Sequence, residues 1–226
     1  MKKICSIVFF LSFVFLSVLI FSPAANAQGR AAALIKDASI DLDVVNTPIW
    51  KVINVMEKGG ITNRNWIQIE VSFTTGISNK TGEALDDASA EYEILLPSED
   101  GKTYVLLSGK VTYWAFALDG GKHRLLAFVP PRIIEKWWGP SNKLNKTELK
   151  KIDAKVVFKY NDAEIATGYQ VPRGGTLAQV TAKFEQAKKM PGLAREKNGI
   201  QGQDKTPWAF LNYDYFETVK QTELSK

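Results

Sequence analysis

Along residues 66–73 two sets of side chains change places at every step: Trp66, Gln68, Glu70 and Ser72 alternate with Ile67, Ile69, Val71 and Phe73. A period of two with β-branched residues on one face predicts a half-buried strand. The same alternation returns at 39–44, where Asp41 and Asp43 separate Ile40, Leu42 and Val44. Strand-like runs at 91–96 and 102–107 flank Pro97-Ser98-Glu99-Asp100-Gly101, a composition that predicts a hairpin turn. Runs at 111–118 and 123–129 flank Asp119-Gly120-Gly121-Lys122, a second hairpin signal. A third joins 154–160 to 164–171 through Asn161-Asp162-Ala163; Val156, Phe158 and Tyr160 share one face there, and Lys155 and Lys159 the other. Gly109 interrupts a long apolar run and predicts a bulge or a change of strand.

Three segments depart from the period of two. In 49–56, Ile49, Val52, Ile53 and Met56 have helical spacing, while the density of β-branched residues favours a strand. Residues 131–138 follow Pro130, begin with Pro131 and end at Gly139-Pro140, the punctuation of a short helix. Within it Ile133 with Trp137, and Ile134 with Trp138, stand one turn apart. The third segment, 177–189, follows Thr176, which has capping-box spacing to Gln179. Leu177, Val180, Phe184 and Ala187 form its apolar stripe, and Pro191-Gly192 stops it.

About nine short strands with several hairpins predict a mainly β, antiparallel sandwich carrying a short helix near 131–138 and a C-terminal helix near 177–189. A transmembrane barrel would need similar strands of about ten residues with a continuous lipid face. The unequal lengths and the intervening helices argue against it. Residues 191–206 are polar and glycine-rich, which reads as a flexible connection. The aromatic run at 206–216 is expected to pack back onto the domain, and the polar residues after it to fray.

Composition adds the compartment. Lys2 and Lys3 precede an almost wholly apolar stretch, and Ala25-Asn26-Ala27 supplies small residues for cleavage, the plan of a secretory signal peptide. Cys5 precedes the apolar run, which argues against a lipid-attachment cysteine. Removing 27 of the 226 residues leaves 199, divided as a sandwich with its appended helix at 28–190 and a C-terminal segment at 191–226. The single cysteine leaves with the signal, so the exported chain has no disulfide and no thiol chemistry. Lys2 and Lys3 leave while no acid does, lowering the net charge from +5 to +3. That value gives no argument for nucleic acid, and no membrane span follows the signal.

Candidate chemistry is sparse. His123 is the only histidine, placed beside Lys122 and Arg124 at what reads as a solvent-exposed strand start. It offers neither a usual zinc site nor a nucleophile-elbow triad, so no cofactor, no metal and no catalytic residue is assigned. Glu70, Asp86, Asp87, Glu91 and Glu93 supply carboxylates, for which a solvated strand face is the plain meaning. The candidate contact residues are aromatic: Trp114, Trp137 and Trp138. Burial of Trp137 and Trp138 would make 131–138 a lid over the core, whereas exposure of one ring would make it an anchor for a partner or sugar. Lys143, Lys146, Lys150, Lys151, Lys155 and Lys159 form either a solvated face or, across 143–159, a contact for an anionic surface polymer.

The stretches WIQIEVSF (66–73), LLSGKVTYWAF (106–116) and LLAFVPPRIIEKW (125–137) resemble secreted immunoglobulin-like proteins of Akkermansia and related Verrucomicrobia encoded near type IV pilus machinery. The likeness spans roughly 38–172. It implies an immunoglobulin-like sandwich, without the cysteine pair and intervening tryptophan of antibody domains, and a pilus or cell-envelope role. The resulting expectation is an exported, non-enzymatic interaction module, periplasmic or at the cell surface, whose partner is another envelope or pilus protein or a second copy. A carbohydrate-binding module or small glycan-acting enzyme using aromatic platforms and carboxylates is the alternative.

Overall fold

The computed structural model of the protein describes residues 34–48, 64–78, 82–98, 103–171, 174–209 and 215–221. The signal peptide read at 1–27 and the ambiguous stretch 49–56 lie outside the described residues.

Alternation converts directly into strands. β1 (Ile35–Asn46) pairs antiparallel with β2 (Asn65–Thr75), and β2 with β7 (Lys122–Val129). β4 (Ser89–Pro97) lies between β5 (Tyr104–Thr112) and β8 (Asp153–Tyr160), and β8 pairs with β9 (Ala163–Tyr169). With the short β10 (Ala194–Lys197) and β11 (Gln201–Gly202), these make one nine-stranded sheet in the order β10-β5-β4-β8-β9-β1-β2-β7-β11. Its pairs are antiparallel except β1 with β9 and β10 with β5. A separate antiparallel pair, β3 (Ala84–Asp86) and β6 (Ala115–Ala117), covers one end.

The large sheet curls until its two ends meet. β10 covers β5, β11 covers β7, and the chain between them crosses from one to the other, with the Ile200 N–H donating to the Ser108 carbonyl (3.4 Å). The inward residues thereby enclose one core: Ile67, Ile69, Val71 and Phe73 from β2, Tyr92 and Ile94 from β4, Val156 and Phe158 from β8. The result is a mainly β sandwich with the two helices where the sequence places them. Among the buried rings Tyr92 and Tyr113 share a hydroxyl–hydroxyl hydrogen bond (2.7 Å), and burial pushes both phenols well above their ordinary pKa.

Where the alternation gives way to continuous apolar runs, the strand is covered on both faces. α3 (Leu177–Lys189) lays Val180, Phe184 and Ala187 over Leu95 of β4 and Leu106 of β5 on the outside of the sheet. Its first turn has the capping box that the spacing predicts: the Thr176 N–H donates to Gln179 Oε1 (2.9 Å) and the Gln179 N–H to Thr176 Oγ1 (3.3 Å). Lys183 Nζ reaches Asp153 Oδ2 at 2.7 Å and Lys188 Nζ reaches Glu93 Oε2 at 3.0 Å, so the outer acids of β8 and β4 fix the helix. On β7 the outward Leu126 and Phe128 meet Trp66 and Trp208, and the Trp208 indole stacks on Phe128 at 4.6 Å.

α1 (Pro131–Trp137) closes the end beyond Val129. Ile133 and Ile134 enter the core, while the half-buried Trp137 and Trp138 pack against it. A 3-10 turn (Ser141–Lys143) and one turn of helix, α2 (Lys146–Leu149), return the chain to β8; Asn145 caps α2 by accepting from the Thr147 and Glu148 N–H groups.

Three local expectations are corrected. β5 runs unbroken through Gly109, and the strand change falls at Tyr113-Trp114 instead. Gly109 is there for close approach, since a Cβ would sit 2.2 Å from the Ile200 carbonyl oxygen. Residues 191–206 carry β10 and β11, too short to show a period. The closing residues are bound through 220: the Glu217 N–H donates to Arg124 O (2.9 Å), Trp114 N–H to Thr218 O (3.0 Å) and Lys220 N–H to Thr112 O (2.8 Å). Backbone groups left over at β5 and β7 are what order this strap.

Candidate binding groove

The outer face of β5-β4-β8 is divided. α3 occupies one end of it, over Leu95 and Leu106, and the other end is open. Register brings Ser89 of β4 opposite Thr112 of β5 on one side and Lys159 of β8 on the other, so three strand ends form one floor. The β8–β9 turn, Asn161-Asp162, and the C-terminal strap rise beside it. Together they outline a groove of about 690 Å³, bordered by Trp114 and by Lys110, Lys159, Lys220, Asp87 and Asp162.

Trp114 is 57% exposed, the most exposed aromatic ring among the described residues. Its backbone is nevertheless fixed: its N–H donates to Thr218 O, and its carbonyl accepts from the Asp87 N–H (3.0 Å). Lys220 Nζ stands 5.2 Å from the ring centroid and also pairs with the Asp87 carboxylate. Across the floor Lys159 Nζ contacts Glu91 Oε1 at 2.8 Å, a hydrogen bond that raises the lysine's pKa further. Lys110, opposite Glu91 on the neighbouring strand, makes no ion pair among the described residues. Asp87, Asn161 and Asp162 have left-handed backbones, with φ of 58°, 50° and 60°. Asp and Asn tolerate that region better than other side chains, and here it shapes both turns that edge the groove.

Beside the groove, His123 ties the strap down. The ring stacks on Phe73 at 5.4 Å, Nδ1 lies 2.6 Å from Glu217 Oε1, and Nε2 lies 3.1 Å from both Thr75 Oγ1 and Asp119 Oδ1. The expectation of an exposed histidine is therefore wrong: the residue is 8% exposed, because β7 begins beneath the strap. The bond with Glu217 above all, and then that with Asp119, raises its pKa. Asp119 is held below the usual carboxylate range, chiefly by the Gly121 N–H and then by His123.

A protein-family model matches residues 25–223. The chain belongs to that family, and the resemblance of its strand pattern to Akkermansia proteins is borne out. A crystal structure of a protein from Akkermansia muciniphila has the same fold, with a TM-score of 0.57 at 16% identity over 83% of this chain and 95% of that one. No curated protein matches.

The three tryptophans singled out from the sequence are not brought together. Trp114 stands at the end of the sheet where β7 begins, whereas Trp137 ends α1 and Trp138 caps it, beyond the residue where β7 finishes. Trp137 Nε1 donates to Glu196 Oε2 (2.9 Å) under Lys136, whose Nζ is 4.7 Å from the ring, and these two donors hold the Glu196 carboxyl below its ordinary range. The lysines of 143–159 are also dispersed. Lys146 pairs with Asp43, Lys151 with Glu148, Lys155 with Glu93 and Lys159 with Glu91. Other candidate acids are paired too, Glu70 with Arg124 at 2.9 Å. Among the described residues no group of three histidine, cysteine or acidic side chains is placed to hold a metal ion, and no helix is long and apolar enough to cross a membrane. Lys110, Lys220 and Asp162 were missed. Asn161-Asp162 was legible as a turn, but nothing local to Lys220 marks it as reaching Trp114.

Proposed function

We propose that the protein is an exported, non-enzymatic contact module of the bacterial cell envelope, acting in or beside a pilus, and that it holds its partner at the Trp114 end of the sandwich. Family membership supports the envelope setting, since the group includes a pilus-associated Akkermansia protein. The observation that carries the site is Trp114 itself, a large ring kept in solvent on a backbone bonded from both sides. A surface aromatic held rigidly loses little conformational freedom on binding, which is why such rings serve as anchors. Docking by strand-edge pairing is less favoured: β10 and β11 cover the long strands β5 and β7, and short terminal strands blunt a sheet edge.

Photo-crosslinking in cells producing the protein tests this. A photoreactive residue at Lys110 is expected to capture an envelope component, and the same residue at Lys189 on the far side of α3 to capture none. Capture at Lys189 alone overturns the assignment of the surface.

A further inference from the structure

The groove has an unusual balance for a protein-docking surface. Apart from Trp114 its border is polar, and its charges nearly cancel: Lys110, Lys159 and Lys220 face Asp87 and Asp162, with Glu91 bonded to Lys159. A protein hot spot needs an apolar, fully desolvated centre, and this floor of Ser89, Thr112 and Lys159 gives none. An anion entering the groove would meet two aspartates, and a cation would meet three ammonium groups.

A hydroxyl avoids both conflicts, because it donates to a carboxylate and accepts from an ammonium. A ligand carrying many hydroxyls on an apolar ring would use the carboxylates, lysines and amides of the groove for its polar rim. It would set its C–H face on the indole. The volume, about 690 Å³, lies within the range of small-ligand sites, roughly 300–1,000 Å³.

Pre-organisation favours the same class. The ion pairs Lys220–Asp87 and Lys159–Glu91 hold donors and acceptors side by side without a ligand, and the bond from the Asp87 N–H to the Trp114 carbonyl links the carboxylate's backbone to that of the stacking ring. Polar groups placed in advance reduce the cost of ordering on binding.

We infer that the Trp114 groove is a binding site for a neutral oligosaccharide. This rests on the groove being the module's contact surface, and it names the ligand that surface takes.

The test is an array of immobilised neutral and acidic glycans probed with the exported chain, residues 28–226, and with its Trp114→Ala and Trp114→Phe variants. The expected result is retention by at least one neutral glycan, at least tenfold weaker for Trp114→Ala and partly restored for Trp114→Phe. Unchanged thermal unfolding of the variants shows that the loss is local. Binding by acidic glycans alone, no retention at all, or retention equal in Trp114→Ala each overturns the inference. A silent array together with a protein cross-linked at Lys110 removes the saccharide but leaves the contact surface standing. A silent array with no cross-link removes both.

Discussion

Nδ1 of His123 and Oε1 of Glu217 are 2.6 Å apart, and this contact joins the start of β7 to the C-terminal strap that borders the groove. The two residues are 94 positions apart in sequence. Around the ring stand Asp119, Thr75 and Phe73, so the imidazole meets the carboxylates of Glu217 and Asp119.

That arrangement makes the strap sensitive to pH. The folded pKa of His123 lies above the unfolded value of about 6.5. The stabilisation is therefore complete below about pH 6.5 and is lost as pH rises through the raised folded value. Thermal unfolding followed from pH 6 upward should show a falling midpoint for the native chain. Glu217→Gln should flatten the profile and cost about 1.5–3 kcal/mol at the acidic end, the loss expected for a hydrogen bond to a charged group.

Gly109→Ala tests how the sheet closes. The new Cβ would fall 2.2 Å from the Ile200 carbonyl oxygen, and backbone on one side and β5 on the other leave no easy relief. The expected cost is about 1–3 kcal/mol, as for overpacking elsewhere. Hydrogen exchange should rise at 194–202 while the amides of β2 and β4 stay protected.

The Tyr92–Tyr113 pair calls for a double-mutant cycle. Changing either residue to Phe leaves a buried hydroxyl without its partner, at about 1–3 kcal/mol. Changing both removes the two polar groups together, so denaturant unfolding should give a double variant less destabilised than the sum of the singles.

How far the sequence carries can be judged from particular elements. Residues 66–73 announce β2 because one face is core and the other lies near solvent, and Thr176 with Gln179 announces α3 because a cap is a local device. β10 and β11 escape notice because two to four residues have no measurable period and take their partners from β5 and β7. Gly109 was legible as special, but its reason lies 91 positions away at Ile200. The site follows the same division. Trp114 can be picked out by residue type, whereas its neighbours Lys110, Asp162 and Lys220 come from three separate segments. Only the register of β5-β4-β8 and the path of the strap assemble them. His123 misleads for a related reason: its local neighbours, Lys122 and Arg124, are polar, and the strap that buries it arrives from the far end of the chain.

Fluorine NMR of the exported chain labelled with 5-fluorotryptophan decides whether Trp114 is the ring that meets the partner. Single Trp→Phe variants assign the resonances, and an unlabelled cell-envelope fraction is then added. The Trp114 signal is expected to shift or broaden while those of Trp137 and Trp138 stay in place. A Trp114 signal that stays fixed while either α1 tryptophan responds would contradict it.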